Sequence, residues 1–352
     1  MDHQMTDSRL PLVSVIVRSM DRPTLTAAIN SLALQTYPNI EVLVVNAKGG
    51  THSELAGNCG RFSLRVLNHT VAPLDRSSAA NTGLDAVTGA FFAFLDDDDT
   101  LDPDHFTRLV ETALAQQAPT VVYAGVRSLS RNDPTAAVTG IFAERWEDGK
   151  LLAGNFIPIH APLVPTVLLA KGVRFDPRLE VYEDWDFWLQ ISEHARFVLS
   201  EGVTATYFLA GGSGVNPHSV DPDLMRHATL TLYAKWLPRL DAEDLWEVTR
   251  LYHDRNLALH GCYTRVNTLE HEAVDLRERL TVAHYDLTVA HHDLNDARNA
   301  LDMMKNELAD ACARLDAQRD ILDSLYNSRS WRLTAPLRAL TRLLRRSLPT
   351  ST

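Results

Sequence analysis

Four consecutive aspartates, at positions 96–99, follow the apolar run FFAFL at 91–95. Adjacent carboxylates repel one another and resist desolvation, so gathering them at the end of a buried strand calls for a compensating charge. A divalent cation supplies it. Mg²⁺ and Mn²⁺ prefer oxygen ligands, and Mg²⁺ commonly takes one or two carboxylates, with phosphate oxygens completing the shell. Asp96 and Asp98 lie two apart and can face one ligand. The competing reading is a solvated acidic turn that caps the next helix, a role open to Asp99, Thr100 and Asp102. A second acidic group, Glu183, Asp184 and Asp186, stands in YEDWDFW beside Trp185 and Trp188. Acids opening an amphipathic helix favour its N-terminus, which accounts for one of these three.

The elements that must carry these acids follow from hydrophobic periodicity. LVSVIVRS (12–19) and IEVLVVNA (40–47) are expected as buried strands, with a helix between them over 24–36. SLRVLNH (63–69), AFFAFLD (90–96) and TVVYAGVRSL (120–129) are further strands. Helices are expected over SSAANTGLDAV and PDHFTRLVETALAQQ, the latter opened by Pro103. Such alternation predicts an α/β fold with a mostly parallel sheet flanked by helices, and ligands at the carboxyl ends of its strands.

The totals agree with a globular chain. Of 352 residues, 45% are apolar and 22% charged, which excludes a disordered protein. A net charge of −11 argues against general nucleic-acid affinity. Cys59, Cys262 and Cys312 form no CxxC pair, so neither a disulfide framework nor a zinc ribbon is indicated, and a reducing cytosol is the simplest setting. MDHQMTDSRLP has no apolar core of a signal peptide. No apolar run approaches the roughly 20 residues of a membrane span, so the chain is expected to be soluble or attached to a membrane from one side.

Beyond residue 218 the character changes. Residues 219–264 read as a helical extension. From Leu276 to Leu325, apolar residues recur in alternating steps of four and three, with Gln318 as the one break; extended back to Val266, the repeat covers roughly 90 Å of helix at 1.5 Å per residue. A coiled coil over 265–327 is expected, and with it a homo-oligomer. One core position is mostly alanine, which permits close packing and leaves strand number and direction open. Residues 328–352 form a basic amphipathic tail in which Trp331, Leu333 and Leu337 interleave with Arg332, Arg338 and Arg342, a pattern suited to an anionic membrane surface or to packing on the protein itself.

Residues 11–218 resemble the family 2 glycosyltransferases, which have the GT-A fold. VSVIVRSMDRPTLTAAINSLALQTYPNIEVLVVN looks like the family's first strand, helix and second strand. AANTGLDAVTGAFFAFLDDDD is similar to the stretch that ends in its metal-binding DxD motif, and EVYEDWDFWLQI to its acidic catalytic segment. The resemblance implies transfer of a sugar from a nucleoside-diphosphate donor (UDP-, GDP- or dTDP-linked) to an acceptor hydroxyl, with Mn²⁺ or Mg²⁺ as cofactor. Asp96 and Asp97 would lie at the donor, and Asp98 with Asp96 would hold the metal against the diphosphate. Asp184 would be the base of an inverting transfer, Glu183 its neighbour, and Asp186 the competitor for that role. Trp185 and Trp188 would wall a sugar ring or the core. Asp21, Arg22 and Asn46 would line the base pocket, and Arg76 and Asn81 the diphosphate or ribose. His218, after GGSGVNP, resembles a late-loop metal ligand, and His160 could touch the acceptor or satisfy a backbone carbonyl.

Two departures from the family pattern stand out. RSMDRP replaces a PxYN-like turn, and NAKGG replaces an Asp-rich turn, leaving Asn46 where an acid would meet the base. The expected protein is a metal-dependent inverting glycosyltransferase of surface polysaccharide or glycolipid synthesis, cytoplasmic or peripheral at the inner membrane face. The rival is a degenerate domain whose coiled coil carries the function as a scaffold.

Overall fold

A computed structural model describes residues 10–68, 72–130, 138–209 and 221–346. The chain opens β1 (Val13–Ser19), α1 (Leu25–Ala33), β2 (Ile40–Asn46), β3 (Asn58–Cys59), β4 (Phe62–Leu67) and α2 (Arg76–Asp85). It continues β5 (Phe91–Asp96), β6 (Thr100–Leu101), α3 (His105–Leu114), β7 (Thr120–Ser130) and β8 (Gly140–Phe142). Then come α4 (Lys150–Ala153), β9 (Pro162–Pro165), α5 (Glu183–Ser192), β10 (Arg196–Leu209) and α6 (Pro222–Trp236). Among the described residues these strands form one mixed sheet in the order β3-β4-β2-β1-β5-β9-β7-β10-β6, with β8 paired to β7.

Its centre is parallel. β4, β2, β1 and β5 run in one direction, and β1 is bracketed by β2 and β5 in register, Val13 beside Ile40 on one side and Phe91 on the other. Every residue of β1 and β2 is buried, because helices cover both faces; such strands read as nearly continuous apolar runs. α2 lies close on β1: a Cβ at Gly83 would meet Ile16 Cγ2 at 2.3 Å, so only glycine fits that crossing. β9 then enters antiparallel between β5 and β7. It carries a proline at each end, which removes donors and hides it from strand patterning. The sheet is therefore the mixed version of the predicted mostly parallel one.

The chain divides into two compact units, Met1–Ala258 and Leu259–Thr352. Helix α7 (Ala242–Asn327) is continuous across residue 264, where an extension was expected to give way to a coiled coil. No proline and one glycine, Gly261, lie within it. In the second unit the heptad leucines are exposed, Leu280 by 70%, Leu287 by 68% and Leu294 by 65%. α8 (Arg329–Leu333) and α9 (Ala335–Arg346) follow. Among the described residues no helix is long and apolar enough to cross a membrane.

Candidate active site

Parallel pairing of β1 with β5 places Arg18 directly beside Asp96 at the carboxyl ends of both strands. The guanidinium meets that carboxylate side-on, Nε donating to Oδ1 at 2.7 Å and Nη2 to Oδ2 at 2.9 Å. Nη1 donates to Glu183 Oε1 at 3.0 Å. Burial opposes the charge of both groups, yet the contact wins. Arg18 is held cationic above its ordinary range, and the Asp96 carboxyl is held below the usual carboxylate range.

The next three acids separate in function. Asp97 is buried and accepts from the Met20 N–H at 2.7 Å and from Arg22 Nη1 at 3.2 Å; burial pushes its pKa up. Asp98 accepts from the same Arg22 Nη1 at 3.0 Å. Asp99 is 1% exposed and accepts from the Phe208 N–H of β10 at 2.9 Å, with His160 Nδ1 3.2 Å from its other oxygen. One carboxylate oxygen from each of Asp96, Asp98 and Asp99 lies within 4.8 Å of the others. This all-oxygen donor set fits a hard divalent cation, and Arg22 places a positive group against Asp98 at the same spot.

α5 brings the second acidic group. Tyr182, just before it, has φ of 65°, a left-handed conformation uncommon for a tyrosine. Glu183 then turns back to Arg18, while Asp184 faces the cleft and accepts from the Trp185 N–H at 2.8 Å. Burial, reinforced by the charge of Glu183, raises the Asp184 pKa to about 7, against the opposing effects of Arg18 and hydrogen bonds from Trp185 and Asn155. Asp186 lies on the other side of the helix. Its carboxylate takes hydrogen bonds from Lys235 Nζ at 2.7 Å, Trp236 Nε1 at 2.8 Å and Gln190 Nε2 at 2.8 Å, which anchors α6. It does not line the cleft.

A cleft of about 820 Å³ gathers Arg18, Arg22, Arg76, Asp96, Asp97, Asp98, His160, Glu183, Asp184 and Trp185. Four other expected site residues lie outside its lining. Trp188 is fully buried and donates to the Ile157 carbonyl. Asn81 holds the backbone of Phe175 through both ends of its amide, at 2.9 and 3.0 Å. Asp21, with φ of 58°, pairs with Lys48 at 2.8 Å; that contact and the Ser53 N–H lower its pKa to about 2. Asn46 donates to Gly50 O and Asn68 Oδ1, both at 2.9 Å. Its own Oδ1 is buried without a partner among the described residues. His218 lies outside the described residues. His160 is buried, and burial pushes its pKa down to about 4, so it is neutral near pH 7.

Sequence reasoning missed Arg18. Its signal was a lone basic residue inside a strand whose every other position is uncharged. It also missed the cleft's apolar side, Phe142, Phe156, Tyr207 and Met225, supplied by elements with no motif.

Residues 14–162 match the family model described as glycosyl transferase family 2. The chain is 36% identical over 110 residues to the uncharacterized glycosyltransferase EpsJ of Bacillus subtilis (strain 168), covering 31% of this chain and 32% of that protein. It is 31% identical over 157 residues to the succinoglycan biosynthesis protein ExoM of Rhizobium meliloti (strain 1021), covering 42% and 46%. It is 25% identical over 188 residues to the uncharacterized glycosyltransferase RP339 of Rickettsia prowazekii (strain Madrid E), covering 51% and 58%. The chain thus spans between 32% and 58% of the length of these relatives. A solved structure of S. aureus TarS 1-349 in complex with UDP-GlcNAc matches with a TM-score of 0.48 at 18% identity, covering 62% of this chain and 66% of that one.

The placement of Asp186 predicts a stability effect. Asp186→Ala strands the Trp236 indole N–H and Lys235 and should cost about 2–4 kcal/mol. Asp186→Asn keeps an acceptor for Trp236 and should cost less. Thermal unfolding of both variants measures this; an Asp186→Ala protein as stable as the wild type would remove the anchoring role.

Proposed function

From the match of residues 14–162 to the glycosyl transferase family 2 model, we propose that the chain moves a sugar from a nucleoside-diphosphate donor to an acceptor hydroxyl with inversion at the anomeric carbon. The observation that carries this reading is one cleft holding the acidic turn at the end of β5, Arg22 and Arg76 among its arginines, and the proton-loving carboxylate of Asp184. The acceptor oxygen bonds to the anomeric carbon as the bond to the diphosphate oxygen breaks, and that oxygen keeps the electron pair. Asp184 takes the acceptor's proton on its carboxylate. Arg22 and Arg76 line the cleft where cationic groups would steady the phosphates. A divalent cation held by oxygens of Asp96, Asp98 and Asp99 would neutralise charge on the departing diphosphate. Trp185 and the aromatic side of the cleft suit sugar rings. The name of the R. meliloti relative, a succinoglycan biosynthesis protein, supports a role in surface polysaccharide or glycolipid synthesis.

The raised Asp184 pKa sets a pH dependence. The basic, ionised form predominates above about 7, so kcat should climb with pH up to about 7 and then level. Asp184→Asn should lower kcat by about 10²–10⁴-fold and abolish that limb. The measurement is transfer or donor hydrolysis across a panel of nucleotide sugars with Mn²⁺. A scaffold reading, favoured by Asn46 in place of an acid and by the exposed stripe on α7, expects no turnover from any donor.

The second unit supports self-association. Its leucine stripe, Leu276 to Leu325, is exposed along about 14 turns at 3.6 residues per turn, and a second copy would bury it. Light scattering on the full chain should give a multiple of 39.2 kDa, the mass of one chain; a monomeric mass at micromolar concentration excludes self-association.

Trp331, Leu333 and Leu337 are exposed on α8 and α9 beside Arg338, whose guanidinium stacks 3.6 Å above the Trp331 ring. This tail suits an anionic lipid surface. The full chain should sediment with anionic but not zwitterionic vesicles, and a chain ending at residue 328 should not. Equal sedimentation of the two excludes the tail as the contact.

A further inference from the structure

Arg18 is a cation inside a strand that is otherwise uncharged and wholly buried. A guanidinium in such a place is costly unless its charge and its fork of donors are both answered. Two elements answer it. Asp96, its neighbour on β5, occupies Nε and Nη2, and Glu183, 165 residues later at the start of α5, occupies Nη1. Strand register fixes the first contact. The left-handed turn at Tyr182 delivers the second.

We propose that Arg18 is a positioning residue for sugar transfer: it ties the carboxylate of the acidic turn to the helix that carries Asp184, and so holds the two ends of the cleft at a fixed spacing. This rests on the glycosyl-transfer reading above. Arg18 acts through Asp96 and Glu183 and needs no contact with the reacting atoms. No other side chain among the described residues bonds to both acidic segments. Geometry of this kind matters because a displacement of about 1 Å at a reacting centre can cost on the order of 10²-fold in rate.

The same contact balances charge around Asp184. The groups facing it are Arg18 from β1, Glu183 and Tyr182 at the start of α5, the amide of Asn155 after α4, and Arg255 of α7, which lines the same cleft. Glu183 raises the proton affinity of Asp184 and Arg18 lowers it. A residue that only stabilised the fold would leave that balance unread in the kinetics.

The test compares wild type with Arg18→Lys, Arg18→Met, Glu183→Gln and the double variant Arg18→Met/Glu183→Gln. Arg18→Lys keeps the charge and loses the fork. It should lower kcat at least about tenfold with the acid limb of the kcat–pH profile unmoved. Glu183→Gln should move the limb to lower pH. Arg18→Met should move it up by about one unit or more. The double variant, which loses one charge of each sign and so survives if Arg18→Met does not fold, should return the limb near the wild-type position while kcat stays low. Wild-type kcat in both Arg18→Lys and the double variant overturns the positioning role. A limb that stays in place in Glu183→Gln overturns the charge balance.

A second readout needs no donor. In the ligand-free protein, the ¹³C signal of the Asp184 carboxyl, assigned by its loss in Asp184→Asn, should titrate lower in Glu183→Gln and higher in Arg18→Met. If the wild type transfers no sugar but these shifts occur, the transfer reading fails and the Arg18 link stands. If transfer occurs but the three proteins titrate alike, the Arg18 link fails alone.

Discussion

One buried guanidinium joins the two acidic segments of the cleft. Arg18 reaches Asp96 on the neighbouring strand and Glu183 on a helix far along the chain; Arg18 and Glu183 are buried and Asp96 is partly so. Buried ion pairs seldom add net stability, because desolvation consumes most of the Coulombic gain. Breaking one by removing a partner costs about 3–5 kcal/mol, because the other charge is left stranded. Such a triad therefore says less about how strongly the fold is held than about which arrangement it is held in. The cation cannot be satisfied unless the end of β1, the end of β5 and the start of α5 meet at one point.

α5 shows how a single helix turn distributes like residues to unlike tasks. Successive side chains rotate by about 100°. Glu183 therefore faces Arg18, Asp184 the cleft, and Asp186 the far side, where Lys235 and Trp236 receive it. Asp184, without a direct cation, has its pKa raised to about 7 by burial and by Glu183, while Asp186 gains a lysine. The four aspartates after β5 are sorted in the same way. Asp96 and Asp98 pair with arginines, Asp97 accepts the backbone of the turn after β1, and Asp99 holds β10.

The second unit obeys different physics. From Leu259 onward α7 buries none of its residues, so its helical state there is not explained by packing within one copy. Its apolar side chains fall in a stripe at heptad spacing, with mixed charges between them, and long helices of this composition are ordinarily held by a partner. The basic end beyond it has the opposite balance, six arginines and no acid over residues 327–352.

Much of this was legible from residue order. β1, β2 and β5 are short, mostly apolar runs, and their burial on both faces is why polar residues such as Ser14, Arg18 and Glu41 are few in them. The acids at 96–98 and 183–184, Arg22, Arg76, His160 and Trp185 were expected at one site, and the fold brings them to one cleft. The heptad spacing marked the long helix, because periodicity is a local property of the chain. What only the tertiary structure decided are the partnerships across it. Asn81, Trp188 and Asp186 carry the same letters as site residues, yet bond to Phe175, Ile157 and α6. β9 was hidden because its prolines mask a strand that exists only by pairing with β5 and β7. Arg18 drew no notice because a side chain's role in a buried strand depends on which carboxylates strand register and a distant helix bring to it, and no local pattern encodes that meeting.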